Sequence, residues 1–343
     1  MKLKFLCMEL SGTGGTETVL VKVLNYLCRE HDIELILTSQ PEQPAFIEKF
    51  DPKVKVTIYA GKYNRLFNIS RRFLTATNDT CFISLSPKMI KLGAKIRASL
   101  QRKYRLISWI HFSLDDQDMF DAKADLPYAD GHLAISSVIK NQLCSYGIPE
   151  EKIFLIFNPI EPVTTELSAT DTTNFFYAGR IIFEGQKNLK EMLDGLSLVP
   201  NATLDVYGTG NDLALCQSYA EKLGINARIT WHGFTKNLWS QIDTRPIALL
   251  LTSKYEGLPM IMLETIAHGV PVISSQFNGY QDVLIEGVNG FSYPQKDVNS
   301  LATQMKKIAT NPLPTASVKE SITKFYPQNY FKKFANALHQ LTM

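Results

Sequence analysis

Short apolar runs alternate with helical patterns along the whole chain of 343 residues. The runs have the length and composition of buried strands, and their alternation with helices is typical of parallel βαβ units. Two series of six strands are visible. The first is Leu3–Met8, Ile33–Thr38, Cys81–Leu85, Leu106–Ile110, His132–Ile135 and Ile153–Phe157; the second is Phe175–Ala178, Leu204–Tyr207, Arg228–Trp231, Ile247–Leu251, Val270–Ile273 and Gly290–Tyr293. The pattern predicts an α/β protein.

A polar segment separates the two series. Asn158–Pro162 is followed by the polar run Thr164–Thr173, whose composition is typical of a linker. A chain of this length also favours two domains over one. We therefore predict an N-terminal domain over residues 1–163 and a C-terminal domain over residues 164–325.

The last residues form a separate predicted element. Residues 326–343 have a helical pattern with one apolar side. That side consists of Tyr330, Phe331, Phe334 and Leu338. We predict a helix that packs back toward the N-terminal domain and bridges both domains.

The composition is that of an ordinary globular protein. Apolar residues make up 45% and charged residues 20% of the chain, and no apolar run approaches the roughly 20 residues that a membrane span requires. The N-terminal run ends at Glu9 without a cleavage site, so we predict a first buried strand and no signal peptide. The five cysteines are scattered, which favours reduced thiols and predicts a cytoplasmic protein.

Basic residues are concentrated in one segment. Between Lys62 and Arg105 there are eleven Lys and Arg residues and one acid, so this segment contributes +10, and the rest −7, to the formal net charge of +3. Ile90, Ile96 and Leu100 can face inward on a helix whose other face is basic. The predicted basic face is Lys88, Lys91, Lys95 and Arg102. An anionic membrane surface fits it best. The alternatives are a solvated helix face and, least favoured because no motif accompanies the charge, nucleic acid.

Two glutamates eight positions apart follow the predicted strand Ile247–Leu251. Glu256 lies on the turn after the strand, and Glu264 lies one to two turns into the following helix. Backbone N–H groups at such a turn, together with the helix dipole, favour a phosphate, while the carboxylates can bind sugar or ribose hydroxyls. The other residues of this predicted site are Ser253, Gly257, Leu258 and Pro259, the last being suited to the first turn of a helix.

A glycine-rich turn follows the first predicted strand. Gly14 and Gly15 permit close approach of the backbone to an anion at the start of a helix. A dinucleotide site would need Gly-x-Gly-x-x-Gly and an acid after the second strand, and both are missing. We therefore predict a phosphate or sugar turn. Glu17 either belongs to that site or complements the helix dipole.

Two cations follow the first strand of the C-terminal series. Arg180 and Lys187 are residue types that neutralise diphosphates, and their charge would stabilise a departing nucleoside diphosphate. The alternative is surface solvation. Gly208 and Phe234 lie at the ends of the next two strands, where open α/β sheets bind ligands, and the segment with Phe234 could seat a base.

A histidine and two aspartates complete the candidates. His111 lies at the carboxyl end of a predicted strand and can donate to a sugar hydroxyl or phosphate oxygen, although a lone histidine can equally be structural. Asp116 and Asp118 match a metal-binding Asp-x-Asp pattern, but they open a polar stretch that we interpret as a loop. We expect no metal and no cofactor.

Together these residues resemble the family-four retaining glycosyltransferases, which have two Rossmann-like domains facing across a cleft, the GT-B fold. The resemblance covers essentially the whole chain. It implies that Glu256 lies near the donor sugar and that Glu264 holds the ribose. It also implies that Arg180 and Lys187 bind the diphosphate and that His111 contacts the donor sugar. The loop between the two cations is longer than is usual in the family.

Four strings are similar to the lipopolysaccharide 1,6-galactosyltransferases: Trp109–Asp115, His132–Ser137, Ile156–Pro159 and Phe183–Lys187. This resemblance implies transfer of galactose from UDP-galactose to a glucose of the lipopolysaccharide core, at the inner face of the cytoplasmic membrane. Residues 40–105 match nothing recognisable. The alternatives are therefore a capsular, exopolysaccharide or teichoic-type acceptor with UDP-glucose or a UDP-N-acetylhexosamine, a hydrolysing or epimerising enzyme, and a non-catalytic degenerate transferase.

Overall fold

The chain folds into two compact units. A computed structural model describes all residues except Glu9, Ser11, Thr13, Ala60, Asp116, Thr170, Asp171 and Met343, and describes Lys62, Tyr63 and Asn64 in their backbone only. The N-terminal unit is Met1–Pro159 with Gln328–Met343, and the C-terminal unit is Ile160–Pro327. The first boundary thus lies four residues before the predicted position between residues 163 and 164.

The N-terminal unit contains a parallel sheet of seven strands. The strands are β1 (Lys2–Cys7), β2 (Asp32–Leu37), β3 (Lys55–Ile58), β4 (Thr80–Ser84), β5 (Arg105–Ile110), β6 (Gly131–Ala134) and β7 (Ile153–Leu155). Their order is β3-β2-β1-β4-β5-β6-β7, so the sheet grows outward on both sides of the pair β1 and β4. The helices between them are α1 (Gly15–Leu27), α2 (Lys62–Leu74), α3 (Pro87–Ser99), α4 (Ala122–Asp125) and α5 (Ser137–Ser145).

The C-terminal unit repeats this design with six parallel strands. They are β8 (Asn174–Ala178), β9 (Thr203–Tyr207), β10 (Ile229–Gly233), β11 (Ala248–Leu251), β12 (Val272–Ser275) and β13 (Gly290–Tyr293), in the order β10-β9-β8-β11-β12-β13. The helices are α6 (Leu189–Ser197), α7 (Leu213–Lys222), α8 (Met260–Ala267), α9 (Val298–Thr310) and α10 (Thr315–Glu320). The central strands are apolar runs because helices cover both faces of a parallel sheet.

All twelve predicted strands are present, with ends within two residues of the predicted ones, but β3 was not predicted. β3 lies at the edge of its sheet and pairs only with β2 among the described strands. An edge strand needs no continuous apolar run, and the side chains of β3 are partly or fully exposed, including Lys55. The hydrophobic pattern therefore gave no signal there.

The C-terminal helix, α11 (Pro327–Thr342), belongs almost entirely to the N-terminal unit. Its apolar side is buried against that unit. The ring of Phe331 stacks on Tyr26, and Phe334 lies edge-on to Trp109 with ring centroids 5.8 Å apart. The side chain of Leu341 lies against the backbone of Gly131, where a Cβ atom would collide with it. The helix is thus an integral part of the N-terminal core.

The predicted basic face on α3 is shorter than expected. The helix ends at Ser99, so Arg102 lies beyond it, and Leu100 is 43% exposed and does not face inward. The Nζ atom of Lys91 lies 2.6 Å from the carboxylate of Asp125 on α4. Lys88 and Lys95 remain exposed on the helix. Among the described residues, no helix has both the length and the apolarity needed to cross a membrane.

Candidate functional site

The C-terminal sheet changes direction at the pair β8 and β11. In open parallel sheets, ligands bind at the carboxyl ends of the strands at such a point. The loop after β8, residues 179–188, contains Arg180 and Lys187, and the loop after β11, residues 252–259, contains Glu256. We call them the β8 loop and the β11 loop. Residues predicted separately from sequence are therefore brought to one edge of one sheet.

A lysine and a serine converge on one carboxylate in these loops. The Nζ atom of Lys187 donates to Oε1 of Glu256 at 2.5 Å, and Oγ of Ser253 donates to the same oxygen at 2.6 Å. The side chains of Lys187 and Glu256 are only 14% and 8% exposed. Charge-assisted hydrogen bonds in a partly desolvated site are short and strong, so they fix the orientation of the carboxylate. Despite its extra length, the β8 loop brings Lys187 to Glu256.

Gln186 joins the two loops and was not predicted. Its Oε1 accepts a hydrogen bond from Nη2 of Arg180 at 2.9 Å, and its Nε2 donates to the carbonyl oxygen of Tyr255 at 3.1 Å. Its own carbonyl oxygen accepts from the backbone N–H of Lys254 at 2.8 Å. The side chain of Gln186 thus holds the guanidinium of Arg180 against the β11 loop.

Glycines allow the backbones at the strand ends of this sheet to approach one another closely. Gly208 has a φ of +145°, and a Cβ atom there would lie 1.9 Å from the carbonyl oxygen of Gly179. The N–H of Gly179 donates to Tyr207 at 2.9 Å, and that of Gly208 donates to Gly233 at 2.7 Å. Gly208 is therefore required by the backbone packing itself. Phe234, which follows Gly233 at the end of the outermost strand, is 63% exposed.

The β11 loop leads directly into the short helix α8. Pro259 is the N-cap residue of α8, immediately before the first turn, in extended conformation. Gly257 is partly exposed, whereas Leu258 is buried. Glu264 is the fifth residue of the helix, and its carbonyl oxygen accepts hydrogen bonds from the backbone N–H and Nδ1 of His268. The two glutamates therefore lie at the two positions predicted, one on the loop and one on the helix.

In the N-terminal unit, the glycine turn lies at the end of β1. Gly14 is the N-cap residue of α1 and Gly15 its first residue. The carboxylate of Glu17 is buried and accepts a hydrogen bond from the N–H of Gly12 at 3.2 Å. A Cβ atom on Gly14 would lie 2.5 Å from the Oε2 atom of Glu17. The carboxylate of Glu17 thus hydrogen-bonds the backbone of the turn, and its proposed roles at the donor site and at the helix dipole both stay predictions.

His111 follows β5 directly and is buried. Its ring lies edge-on to Trp109 with centroids 4.5 Å apart, and its Nε2 atom has no hydrogen-bond partner among the described residues. Burial lowers the pKa of His111 to about 3, so the imidazole is neutral near pH 7. A buried imidazole nitrogen without a partner can bind a hydroxyl group of a ligand.

The alternative interpretation of Asp116 and Asp118 is a metal-binding site. Asp116 lies outside the described residues. Within the part of the chain that the structure describes, no group of three or more His, Cys, Asp or Glu side chains could hold a metal ion.

Residues 164–325 match the family of glycosyl transferases group 1. Over almost its full length, the chain is 34% identical to the lipopolysaccharide 1,6-galactosyltransferase of Escherichia coli K12, covering 97% of this chain and 96% of the relative. The chain belongs to the group 1 glycosyltransferases. The Salmonella typhimurium enzyme of the same name is 29% identical, with 98% of each chain covered.

The structural comparison agrees with this family. The lipopolysaccharide outer core galactosyltransferase WaaB superimposes with a TM-score of 0.86 at 29% identity, with 99% of each chain covered. Anabaena Alr3699/HepE, solved in complex with UDP, has a TM-score of 0.78 at 17% identity, covering 98% of this chain and 99% of that chain, and shares the fold. The predicted family, the GT-B fold of two parallel-sheet α/β domains and the hexosyltransferase activity are confirmed. The roles of individual residues stay predictions.

Gln186 gives a first test in this glycosyltransferase. Gln186→Ala is expected to lower turnover about tenfold, because Arg180 loses the side chain that holds it and small misplacements of charged groups are costly in catalysis. Steady-state sugar transfer measures the effect. Gln295→Ala is the matched control, since Nε2 of Gln295 donates to the carbonyl oxygen of Lys254 in the same loop at 2.8 Å. Equal rates for the two variants would remove Gln186 from the site.

Proposed function

We propose that this glycosyltransferase moves galactose from UDP-galactose to a glucose of the lipopolysaccharide core. The observation that supports it most is the full-length likeness to two proteins named lipopolysaccharide 1,6-galactosyltransferase. Arg180, Lys187 and Glu256 lie together on the β8 and β11 loops, and Glu264 lies on the helix that follows. This arrangement supports catalysis over a degenerate, non-catalytic chain. Arg180 and Lys187 bind the diphosphate, Glu264 the ribose and Glu256 the sugar.

In this proposal, Lys187 has two partners. It is paired with Glu256 in the structure, so a bound diphosphate shares the lysine with that carboxylate. As the anomeric bond breaks toward an oxocarbenium-like state, negative charge develops on the leaving UDP, and Lys187 and Arg180 stabilise it. The acceptor hydroxyl attacks from the same face, and the leaving phosphate accepts its proton, so the configuration is retained.

His111 acts in this scheme as a neutral group. Its lowered pKa keeps the imidazole uncharged, so it can hydrogen-bond a hydroxyl of the donor sugar without adding charge.

The protein cations take the place of a metal ion at the diphosphate, and neither a metal nor a further cofactor takes part. Gly14 and Gly15 supply backbone N–H groups to the donor.

The enzyme acts peripherally on the inner face of the cytoplasmic membrane, where its glycolipid acceptor is made, and the basic segment 62–105 faces the anionic lipids.

The donor and acceptor are tested together by kinetics. The purified chain is supplied with UDP-galactose or UDP-glucose and with truncated lipopolysaccharide ending in glucose, and release of UDP is measured with and without acceptor. We expect faster transfer from UDP-galactose, because a site that hydrogen-bonds the one hydroxyl that differs can discriminate by several kcal/mol.

Other outcomes of these kinetics would contradict specific parts of the proposal. Faster transfer from UDP-glucose would contradict the donor. Transfer only to a capsular, exopolysaccharide or teichoic-type precursor would contradict the acceptor. Equal release of UDP without acceptor would indicate a hydrolase, and no release with any donor would indicate a non-catalytic chain.

A further inference from the structure

Helix α2 exposes large apolar side chains on its outer surface. Phe67 is 68% exposed, Leu66 is 55% exposed and Leu74 is 43% exposed. Phe67 and Leu74 are seven residues apart, so they lie on one face of the helix, one above the other. Leu66 lies about 100° around the helix from Phe67, at the margin of this face. Single exposed apolar residues are common on protein surfaces, but two on one helix face with a third at its margin form a patch that needs a partner.

The apolar face is not part of the core of the N-terminal unit. The opposite side of α2 makes the core contacts, through the fully buried side chains of Ile69 and Phe73. Arg72, beside them, is held by an ion pair of 2.8 Å with Glu34 and by a hydrogen bond to Tyr59. The helix is thus fixed in its orientation, and the exposed face points away from the sheet.

The surroundings of this face are strongly basic. The chain has no acidic residue between Asp51 and Asp79, a stretch that includes all of α2. Arg71 is exposed between Phe67 and Leu74 on the same face. The neighbouring helix α3 packs against α2 and adds exposed cations. Those cations are Lys88 and Lys95.

From these observations we propose that the outer face of α2, and not α3 alone, docks the protein on an anionic lipid bilayer. Phe67 and Leu74 enter the boundary between headgroups and acyl chains with Leu66 at the margin, while Arg71 contacts anionic headgroups. A basic helix with aromatic and aliphatic residues on its exposed face is typical of interfacial membrane binding. This docking deepens the proposed function, since a glycolipid acceptor lies in the membrane, but it does not depend on the donor.

The combination of basic and apolar side chains on this face favours a membrane as its partner. A purely electrostatic partner such as nucleic acid does not require exposed phenylalanine and leucine, and an ordinary apolar protein interface is depleted in charge at its centre. This face has cations and apolar side chains but no acids. The cations suit the anionic headgroups of a membrane, and the apolar side chains suit the acyl chains below them. A protein partner is a different outcome of the experiment below.

The test is sedimentation of the full chain with vesicles of phosphatidylethanolamine and phosphatidylglycerol, and with neutral phosphatidylcholine vesicles. We expect selective binding to the anionic vesicles. The double variant Phe67→Ser and Leu74→Ser should lose binding about tenfold, and Arg71→Glu should lose it at low salt, because both apolar and electrostatic parts are needed. Thermal unfolding confirms that the variants are folded. The matched control is Leu198→Ser with Leu215→Ser, which removes two exposed leucines from the C-terminal unit.

Three results would overturn the docking face. The first is unchanged vesicle binding by the α2 variants, and the second is loss of binding only in Lys88→Glu with Lys95→Glu, which would assign the contact to α3. The third is no binding by the wild-type chain, which would leave the patch to a protein partner. Transfer of galactose to a detergent-free, truncated acceptor should be the same in the wild type and the α2 variants. Failure of that transfer in the wild type would contradict the proposed function and leave the docking result intact.

Discussion

Lys187→Met is expected to lower turnover about tenfold or more and to destabilise the C-terminal unit by about 3 kcal/mol. The loss of turnover follows from the loss of a cation at the leaving diphosphate. The loss of stability has a separate cause, since the carboxylate of Glu256 is 8% exposed and would remain buried without its charged partner. Steady-state transfer and denaturant unfolding measure the two effects independently.

A double-mutant cycle separates these effects. Glu256→Gln removes the charge but keeps an oxygen that accepts from Oγ of Ser253, which lies 2.6 Å away. The double variant Lys187→Met with Glu256→Gln should therefore recover most of the stability, because no charge is left unpaired, while its turnover stays low. A double variant as unstable as Lys187→Met alone would contradict the buried pair. Near-normal turnover in Lys187→Met would remove the lysine from the reaction.

Two controls complete this experiment. Lys190→Met breaks an ion pair with Glu184 that has a similar N to O distance, 2.6 Å, but lies on the surface, so it should change little. Addition of EDTA to the wild type should also change little, because protein cations serve the diphosphate in the proposed mechanism. Loss of activity in EDTA that Mn²⁺ restores would contradict the metal-free mechanism and return attention to Asp116 and Asp118.

The hydrophobic pattern predicted the strands because most of them are buried on both faces. β4 and β11, for example, are buried along their whole length; β11 is apolar throughout, and β4 has an apolar centre. The pattern failed at the periphery, where tertiary context decides. It missed the partly exposed edge strand β3, and it extended α3 to Arg102 although the helix ends at Ser99, before the left-handed Gln101 with a φ of +53°.

The parts of the candidate site that follow directly after predicted strands could be located from the sequence. The two glutamates eight positions apart and the cations after β8 follow from the rule that loops at the carboxyl ends of neighbouring parallel strands meet. Gln186 could not be found in this way, because its partner Tyr255 lies 69 residues further along the chain. The ion pair of Lys187 with Glu256 likewise depends on side-chain reach across two loops, which a sequence pattern does not encode.

Glu264→Ala is expected to weaken binding of UDP by about 1 to 3 kcal/mol, because a ribose hydroxyl would lose a charged acceptor. The hydrogen bonds between Glu264 and His268 use the backbone carbonyl of Glu264 and do not depend on its side chain, and thermal unfolding checks that the variant is folded. Calorimetry with UDP measures the affinity. Glu221→Ala, an exposed glutamate on α7, is the matched control.

Comparison with Glu256→Gln distinguishes a contact with the sugar from a contact with the ribose. Glu256 is proposed to contact the sugar, so its variant should lower turnover more than UDP affinity, whereas Glu264→Ala should lower both. Equal losses of UDP and UDP-galactose binding in Glu256→Gln would contradict its contact with the sugar. Unchanged UDP affinity in folded Glu264→Ala would contradict its proposed contact with the ribose. The contacts proposed between the β8 loop and the diphosphate would then have to account for most of the affinity for UDP.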